Sequence, residues 1–212
     1  MGELPMPGGW SLSAMWMPMC GQTWLDAAAA FTFMWSATMA PMMLPSLAPA
    51  LLSYWKRVRA RGKGRAARAT ALAAASYFCA WTAFGAIVFV VGATVAANVM
   101  QSSALARAMP VCSGVTLLLA VGLQFTAWKA RRVACRENVC RYGGINADDA
   151  SAAVLHGLRL ALHDGYCCAN FMAALFAVGV MNPFAMGAVT VAMAVEQWAP
   201  WRVRTPPLRN PT

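Results

Sequence analysis

After its first 26 residues, this 212-residue chain has four long stretches that contain no charged residue. They run over residues 27–55, 69–106, 108–128 and 165–195. A helix needs about 20 predominantly apolar residues to cross a bilayer, so each stretch is long enough to span a membrane. The strands of a membrane barrel would instead show segments of alternating hydrophobicity, and the sequence has none. The pattern predicts an all-α fold, a polytopic transmembrane helical bundle.

The composition excludes two other classes of protein. Hydrophobic residues make up 60% of the chain and charged residues only 11%. A soluble domain is about 25% charged, so a soluble globular protein does not fit. Disordered chains are poor in apolar residues, so disorder does not fit either.

The last apolar stretch is interrupted by Asn182-Pro183, which is a turn signal. We interpret this stretch as a helical hairpin, which brings the predicted number of crossings to five. The predicted spans are residues 27–55, 71–99, 108–128, 153–181 and 184–199. A Met- and Trp-rich segment, residues 1–26, precedes them, and a tail, residues 200–212, follows.

The positive charges predict the direction of insertion, because Lys and Arg concentrate in cytoplasmic loops. Residues 1–55 contain none, whereas 56–68 contain seven, 129–159 six and the tail three. With five crossings, 16 of the 17 basic residues fall on one side, and Arg107 is the exception. We therefore expect an external N-terminus, a cytoplasmic C-terminus and a bacterial-type cell membrane. The net charge of +10 is then explained by topology, with the lipid bilayer rather than nucleic acid as the partner.

The external segment carries a group of soft donors. They are Met15, Met17, Met19 and Cys20. Thioether and thiolate sulfurs select Cu(I), and alternate positions in an extended loop can converge on one ion. The alternative is an interfacial apolar loop whose tryptophans form an aromatic belt.

The first predicted span combines prolines with methionines. The prolines are Pro41, Pro45 and Pro49, and the methionines beside them are Met39, Met42 and Met43. Each proline frees a backbone carbonyl, which at membrane depth must face protein or a water-lined cavity. We expect this helix to face the centre of the bundle and its methionines to line a path. A kinked packing helix is the alternative.

The predicted cytoplasmic side carries a second group of metal-binding residue types. It consists of Cys135, Cys140, His156, His163, Cys167 and Cys168. On a helix, His156, His163 and Cys167 share one face, because the later two follow the first by seven and eleven residues. This set predicts a Cys/His site for Cu(I) or Zn, with Asp164 orienting His163. Cytoplasmic thiols stay reduced, which disfavours a disulfide. The alternative is that the cysteines only pack as small apolar residues.

One carboxylate, Glu196, ends the last predicted span. Ionisable residues inside a membrane are functional candidates, although an interfacial position explains Glu196 equally well.

Two stretches resemble the DUF2182 group of predicted metal-binding integral membrane proteins, sometimes labelled copper chaperones. The first, residues 34–49, includes Met42-Met43-Leu44-Pro45-Ser46. The second runs from His156-Gly157 through Tyr166-Cys167-Cys168 to Gly179-Val180-Met181-Asn182 and Glu196. The resemblance covers roughly residues 15 to 200, and it implies a membrane protein that binds a metal. Asp164-Gly165-Tyr166 stands where the family has a further cysteine.

These observations favour a membrane protein that delivers or translocates Cu(I), with Zn as the alternative metal. The ion would move from the external Met/Cys segment to the Cys/His site, along a path that also includes Met181 and Glu196. The partner would be a copper donor, a copper acceptor or a membrane metalloenzyme, and a non-enzymatic role is favoured. A membrane thiol–disulfide oxidoreductase is one rival, disfavoured by the absence of Cys-x-x-Cys. A structural or assembly subunit of a membrane complex is the other.

Overall fold

The structure is a computed structural model that describes residues 3–6, 10–18, 21–124, 150–178 and 183–198. The described residues form five α-helices. They are α1 (Trp24–Val58), α2 (Lys63–Gln101), α3 (Ser103–Gln124), α4 (Ala150–Val178) and α5 (Pro183–Trp198). The predicted helical fold is confirmed for this part of the chain. A short antiparallel hairpin, in which β1 (Glu3–Met6) pairs with β2 (Trp10–Ser13), is an addition that the all-α prediction lacks.

Three of the described helices are long and apolar enough to cross a membrane. They are Trp24–Val58, Lys63–Gln101 and Ser103–Leu123. Helix α4 has 29 residues but includes the charged residues Arg159 and Asp164. Helix α5 has 16 residues, fewer than the roughly 20 that a full span needs. Five crossings and the direction of insertion stay predictions.

The first helix begins with a capping box. Thr23 is the N-cap, and its hydroxyl accepts a hydrogen bond from the Asp26 backbone N–H at 3.2 Å. The Asp26 carboxylate in return accepts the Thr23 N–H at 3.0 Å. These reciprocal bonds satisfy two backbone donors that a helix start leaves open.

The basic segment 56–68 is mostly helical, which corrects its interpretation as a loop. Helix α1 continues to Val58, a 3-10 turn covers Arg59–Arg61, and α2 begins at Lys63. The break falls at Gly62, whose φ of 123° suits a residue without a Cβ. Basic side chains therefore project from helix ends, as in the stacking of the Arg59 guanidinium over the Trp55 ring at 5.0 Å.

The prolines of α1 do not face the core. Pro41 and Pro49 are exposed, whereas Met39, Met42 and Met43 are buried. Pro41 follows Met39 by two residues, or about 200° around a helix, so the proline row lies nearly opposite the row of Met39 and Met43. The expectation that α1 faces the bundle through its methionines agrees with this arrangement. Pro45 is half-buried, and the role of the freed carbonyls in a path stays a prediction.

Aromatic rings and glycines set the packing of the helices around α1. The Trp35 indole donates its N–H to the Trp81 carbonyl of α2 at 3.1 Å, and a Cβ at Gly85 would overlap the Trp35 ring. Between α2 and α4, a Cβ at Gly157 would overlap the Ala73 carbonyl oxygen. Small residues thus let these helices approach closely, as in membrane bundles.

The two ends of the bundle hold different segments. At one end, the Trp10 indole donates to the Ala106 carbonyl at 2.8 Å, which ties the N-terminal hairpin to the start of α3. At the other end, Ala153 near the start of α4 packs in one cluster with Tyr54 and Val58. The start of α4 therefore lies at the same end as the basic turn, opposite the N-terminal segment.

Helices α4 and α5 pack against each other. Cys168 contacts Met193, and these residues lie ten positions before the end of α4 and ten positions after the start of α5. Helices α4 and α5 therefore lie side by side, and the prediction that they form a hairpin of two crossings stays a prediction.

Candidate functional site

The predicted site residues are divided between the described part of the chain and the rest. Met19, Cys20, Cys135, Cys140 and Met181 lie outside the described residues. Glu196 lies in the last turn of α5. The remaining predicted ligands lie in the N-terminal segment, in α1 and in α4.

Helix α4 brings one predicted ligand pair together. The Cys167 sulfur lies 3.6 Å from Nδ1 of His163, one helical turn away, and both side chains are partly buried. Side chains at positions i and i+4 are neighbours on a helix, so this pair follows directly from the sequence spacing. A thiol and an imidazole at this distance can bind the same soft ion.

His156 lies apart from His163 on α4. It lies seven residues earlier, about 10 Å along the helix axis, although it shares the face. Its ring stacks on Tyr54 of α1, with centroids 4.6 Å apart, and its exposed fraction is 4%. Its Nδ1 has no hydrogen-bond partner among the described residues. One site that includes His156, His163 and Cys167 stays a prediction, and of these three the structure brings only His163 and Cys167 into contact.

No group of three His, Cys, Asp or Glu side chains in the described ranges is close enough to hold a metal ion. A site of three such ligands would have to include residues outside the described ranges, such as Cys135 or Cys140. Within the described residues, a soft-metal site of three or more side-chain ligands would therefore need methionine as well.

A buried carboxylate joins three helices. Asp164 of α4 is 1% exposed, and its Oδ2 accepts hydrogen bonds from the Tyr77 hydroxyl of α2 at 2.6 Å and the Ser46 hydroxyl of α1 at 2.9 Å. A carboxylate at such a position is costly unless it is hydrogen-bonded. The sequence suggested Asp164 only as a partner of His163 and missed Ser46 and Tyr77. The available signal was an acidic residue within an apolar helix.

Two predicted path residues line a cavity between α1 and α2. The cavity has a volume of about 250 Å³. Its lining consists of Ser36, Met39, Ala40, Met43, Phe78, Trp81 and Thr82. The Ser36 and Thr82 hydroxyls are 3.1 Å apart and form a hydrogen bond across the two helices. The cavity wall is mostly apolar and includes two methionines, while Met42 is buried in the core beside it.

The two adjacent cysteines of α4 have different partners. Cys167 contacts His163, whereas the Cys168 thiol donates to the Met193 sulfur of α5 at 3.9 Å. Successive residues on a helix are about 100° apart, which separates the two thiols onto different faces. The sequence reasoning missed Met193. The available signal was weak, because its contact with Cys168 depends on how α5 folds back.

Met15 does not lie in an extended loop. Met15 lies in a 3-10 turn, Ala14–Trp16, and packs against the main core with Trp16. The Trp16 ring lies 5.1 Å from Phe31, and a Cβ at Gly92 would overlap it. Met17 follows the turn and is half-buried. Trp16 therefore anchors this segment on the bundle at the end where α1 begins.

A comparison with known protein families gives a match. The model of the PpoB2 copper chaperone family matches residues 32–208. No curated protein and no solved structure gives a significant match. Since the family match covers well over half of the chain, including most of α1 and all of α2 to α5, the chain belongs to the copper chaperone family.

Proposed function

We propose that this protein is an integral membrane copper chaperone that carries Cu(I) as cargo and passes it to an acceptor protein. The observation that carries the proposal is the position of Met39 and Met43 in the wall of the α1–α2 cavity. Thioether sulfur is a soft ligand that suits Cu(I) and not hard cations such as Mg²⁺ or Ca²⁺. Family membership supports copper as the metal.

The surface of the helices supports insertion into a bilayer. Large apolar side chains are exposed on all three long helices. Among them are Phe33, Leu52, Ile87, Val90, Val111, Leu118 and Leu119. Soluble monomers rarely expose apolar patches beyond a few hundred Å², because such surface drives association in water. In a bilayer the same apolar side chains contact the hydrocarbon of the lipid instead of water.

The arrangement of the sulfurs suits transfer better than storage. Met15 is near the start of α1, Met39 and Met43 are further along it, and the His163–Cys167 pair is on α4. Several weak sites in succession allow an ion to be bound and then released. We propose entry near Met15, Met17, Met19 and Cys20 and exit through the Cys/His residues. The acceptor would be a copper-binding protein or a membrane metalloenzyme.

The test is Cu(I) retention by the full-length protein purified in detergent. The protein is loaded with Cu(I) under reducing conditions and titrated with a Cu(I) chelator. Wild type should retain copper at chelator concentrations that strip a Met39→Leu/Met43→Leu variant, whose volume is nearly conserved. Met100→Leu is the matched control, because Met100 is exposed at the end of α2. A wild-type protein that retains no copper would refute the proposal.

A further inference from the structure

We infer that Cys168 and Met193 form a soft-metal site in the core of the bundle, separate from the His163–Cys167 pair. The inference rests on the proposed function, because it takes Cu(I) as the ion. It adds a ligand, Met193, from a helix that the predicted Cys/His site does not include.

The separation of the two sulfurs fits a shared ion. Cys168 Sγ and Met193 Sδ are 3.9 Å apart. Two sulfurs that each bind one metal at about 2.3 Å lie roughly 3.8–4.0 Å apart when the angle at the metal is about 110–120°. The pair can therefore bind one ion with little change in the relative position of α4 and α5.

The surroundings of the pair exclude water. Cys168 is 6% and Met193 is 4% exposed, and both belong to the main buried cluster. Met172 lies one helical turn after Cys168 on the same face, is equally buried and belongs to that cluster as well. It is the candidate for a third sulfur ligand. Met43 of α1 is also in this cluster, which connects the site to the methionine-lined cavity.

The charge balance of this ligand set suits a buried site. A thiolate and Cu(I) together carry no net charge, and thioether sulfurs add none. Because burial of an uncompensated charge is strongly unfavourable, a neutral copper complex costs the least free energy to bury in an apolar core. Two thiolates would leave a net negative charge in the core, so methionine is the better second ligand.

Transfer to this site is a ligand exchange in which copper stays Cu(I). When Cu(I) arrives from a thiolate donor, the bond from copper to the donor sulfur breaks and the bond to Cys168 Sγ forms. The Cys168 thiol proton passes to the released donor thiolate. No oxidant or reductant is required.

The site lies on a face of α4 different from that of the His163–Cys167 pair. Asp164, Cys168 and Met172 follow one another at four-residue intervals and are all buried, whereas His163 and Cys167 are only partly buried. The Tyr77 and Ser46 hydrogen bonds to Asp164 hold this face against α1 and α2 one turn from Cys168. Helix α4 therefore carries the Cys167 and Cys168 thiols on different faces, and each thiol can be removed by a substitution that leaves the other in place.

The experiment uses the full-length protein in detergent, loaded with Cu(I) and titrated with a Cu(I) chelator. Cys168→Ser and Met193→Leu should each lower the Cu(I) affinity of the core site by about tenfold or more. The double variant should lose less than the sum of the two losses, because residues that share one ion are coupled. Sulfur coordination at copper, measured by X-ray absorption, should fall in each variant.

Two controls separate a lost ligand from a lost fold. Cys112→Ser and Met100→Leu make the same chemical changes at exposed positions and should leave the affinity unchanged. Met193→Leu nearly conserves volume, so it reports on ligation even if Cys168→Ser fails to fold. Wild-type affinity in Met193→Leu would overturn the inference while leaving the proposed function intact. Absence of copper from wild type would overturn both.

Discussion

The Tyr77 hydroxyl donates a 2.6 Å hydrogen bond to the Asp164 carboxylate, which links α2 to the middle of α4. Ser46 of α1 donates to the same oxygen at 2.9 Å. These bonds join three helices at a point shielded from solvent. They also fix the rotation of α4, and with it the faces on which Cys167 and Cys168 lie.

Tyr77→Phe should destabilise the protein by about 1–3 kcal/mol, since it removes a donor from a buried acceptor without changing the ring. Thermal unfolding of the purified protein in detergent measures the change. Thr116→Val is the control, because the exposed Thr116 hydroxyl donates to the Cys112 carbonyl of its own helix. Equal melting temperatures for wild type and Tyr77→Phe would show that the network contributes nothing to stability.

Gly157→Ala should destabilise the contact of α4 with α2. The new Cβ would overlap the Ala73 carbonyl oxygen and the Ser76 hydroxyl, and overpacking of this kind costs about 1–3 kcal/mol. Gly122→Ala is a matched control on α3, where nothing lies within 4 Å of the added Cβ. Because Ala is the better helix former by about 1 kcal/mol, the control should be neutral or slightly more stable. A Gly157→Ala protein as stable as the control would contradict the close contact.

The topology prediction is tested by reporter fusions in the cell. Fusions after residue 62 and after residue 205 should both read as cytoplasmic, and one near residue 105 should read as external, because basic segments stay inside. Fusions near 62 and 105 should differ, since α2 is among the helices that can cross a membrane. An external reading at residue 205 would mean that α4 and α5 do not complete two crossings.

The helices were predicted well in the uncharged stretches of the sequence and less well in the basic segment between the first two. Segment 56–68 was expected to be a loop, yet it is helical on both sides of Gly62. Lys, Arg and Ala are good helix formers, so a run of basic residues ends a membrane span without ending the helix. The point in the sequence where apolar residues give way to basic ones therefore predicts where a membrane span ends, but it does not predict where the helix ends.

Contacts within one helix could be predicted from the sequence, and contacts between helices could not. His163 and Cys167 meet because four residues make about one turn. The partners of Asp164 lie 87 and 118 residues away in the sequence, and periodicity carries no information about such pairs. The contact of Cys168 with Met193 likewise depends on the way α5 packs against α4.

The central claim, that this chaperone carries Cu(I) on sulfur ligands inside a helical bundle, is tested most directly by X-ray absorption at the copper edge. The sample is full-length protein loaded with Cu(I) in detergent and freed of unbound metal. The account predicts a Cu(I) edge with metal–sulfur scattering at about 2.3 Å, carried by thiolate and thioether donors. A sample that retains no copper, or copper bound only to nitrogen and oxygen, would contradict it.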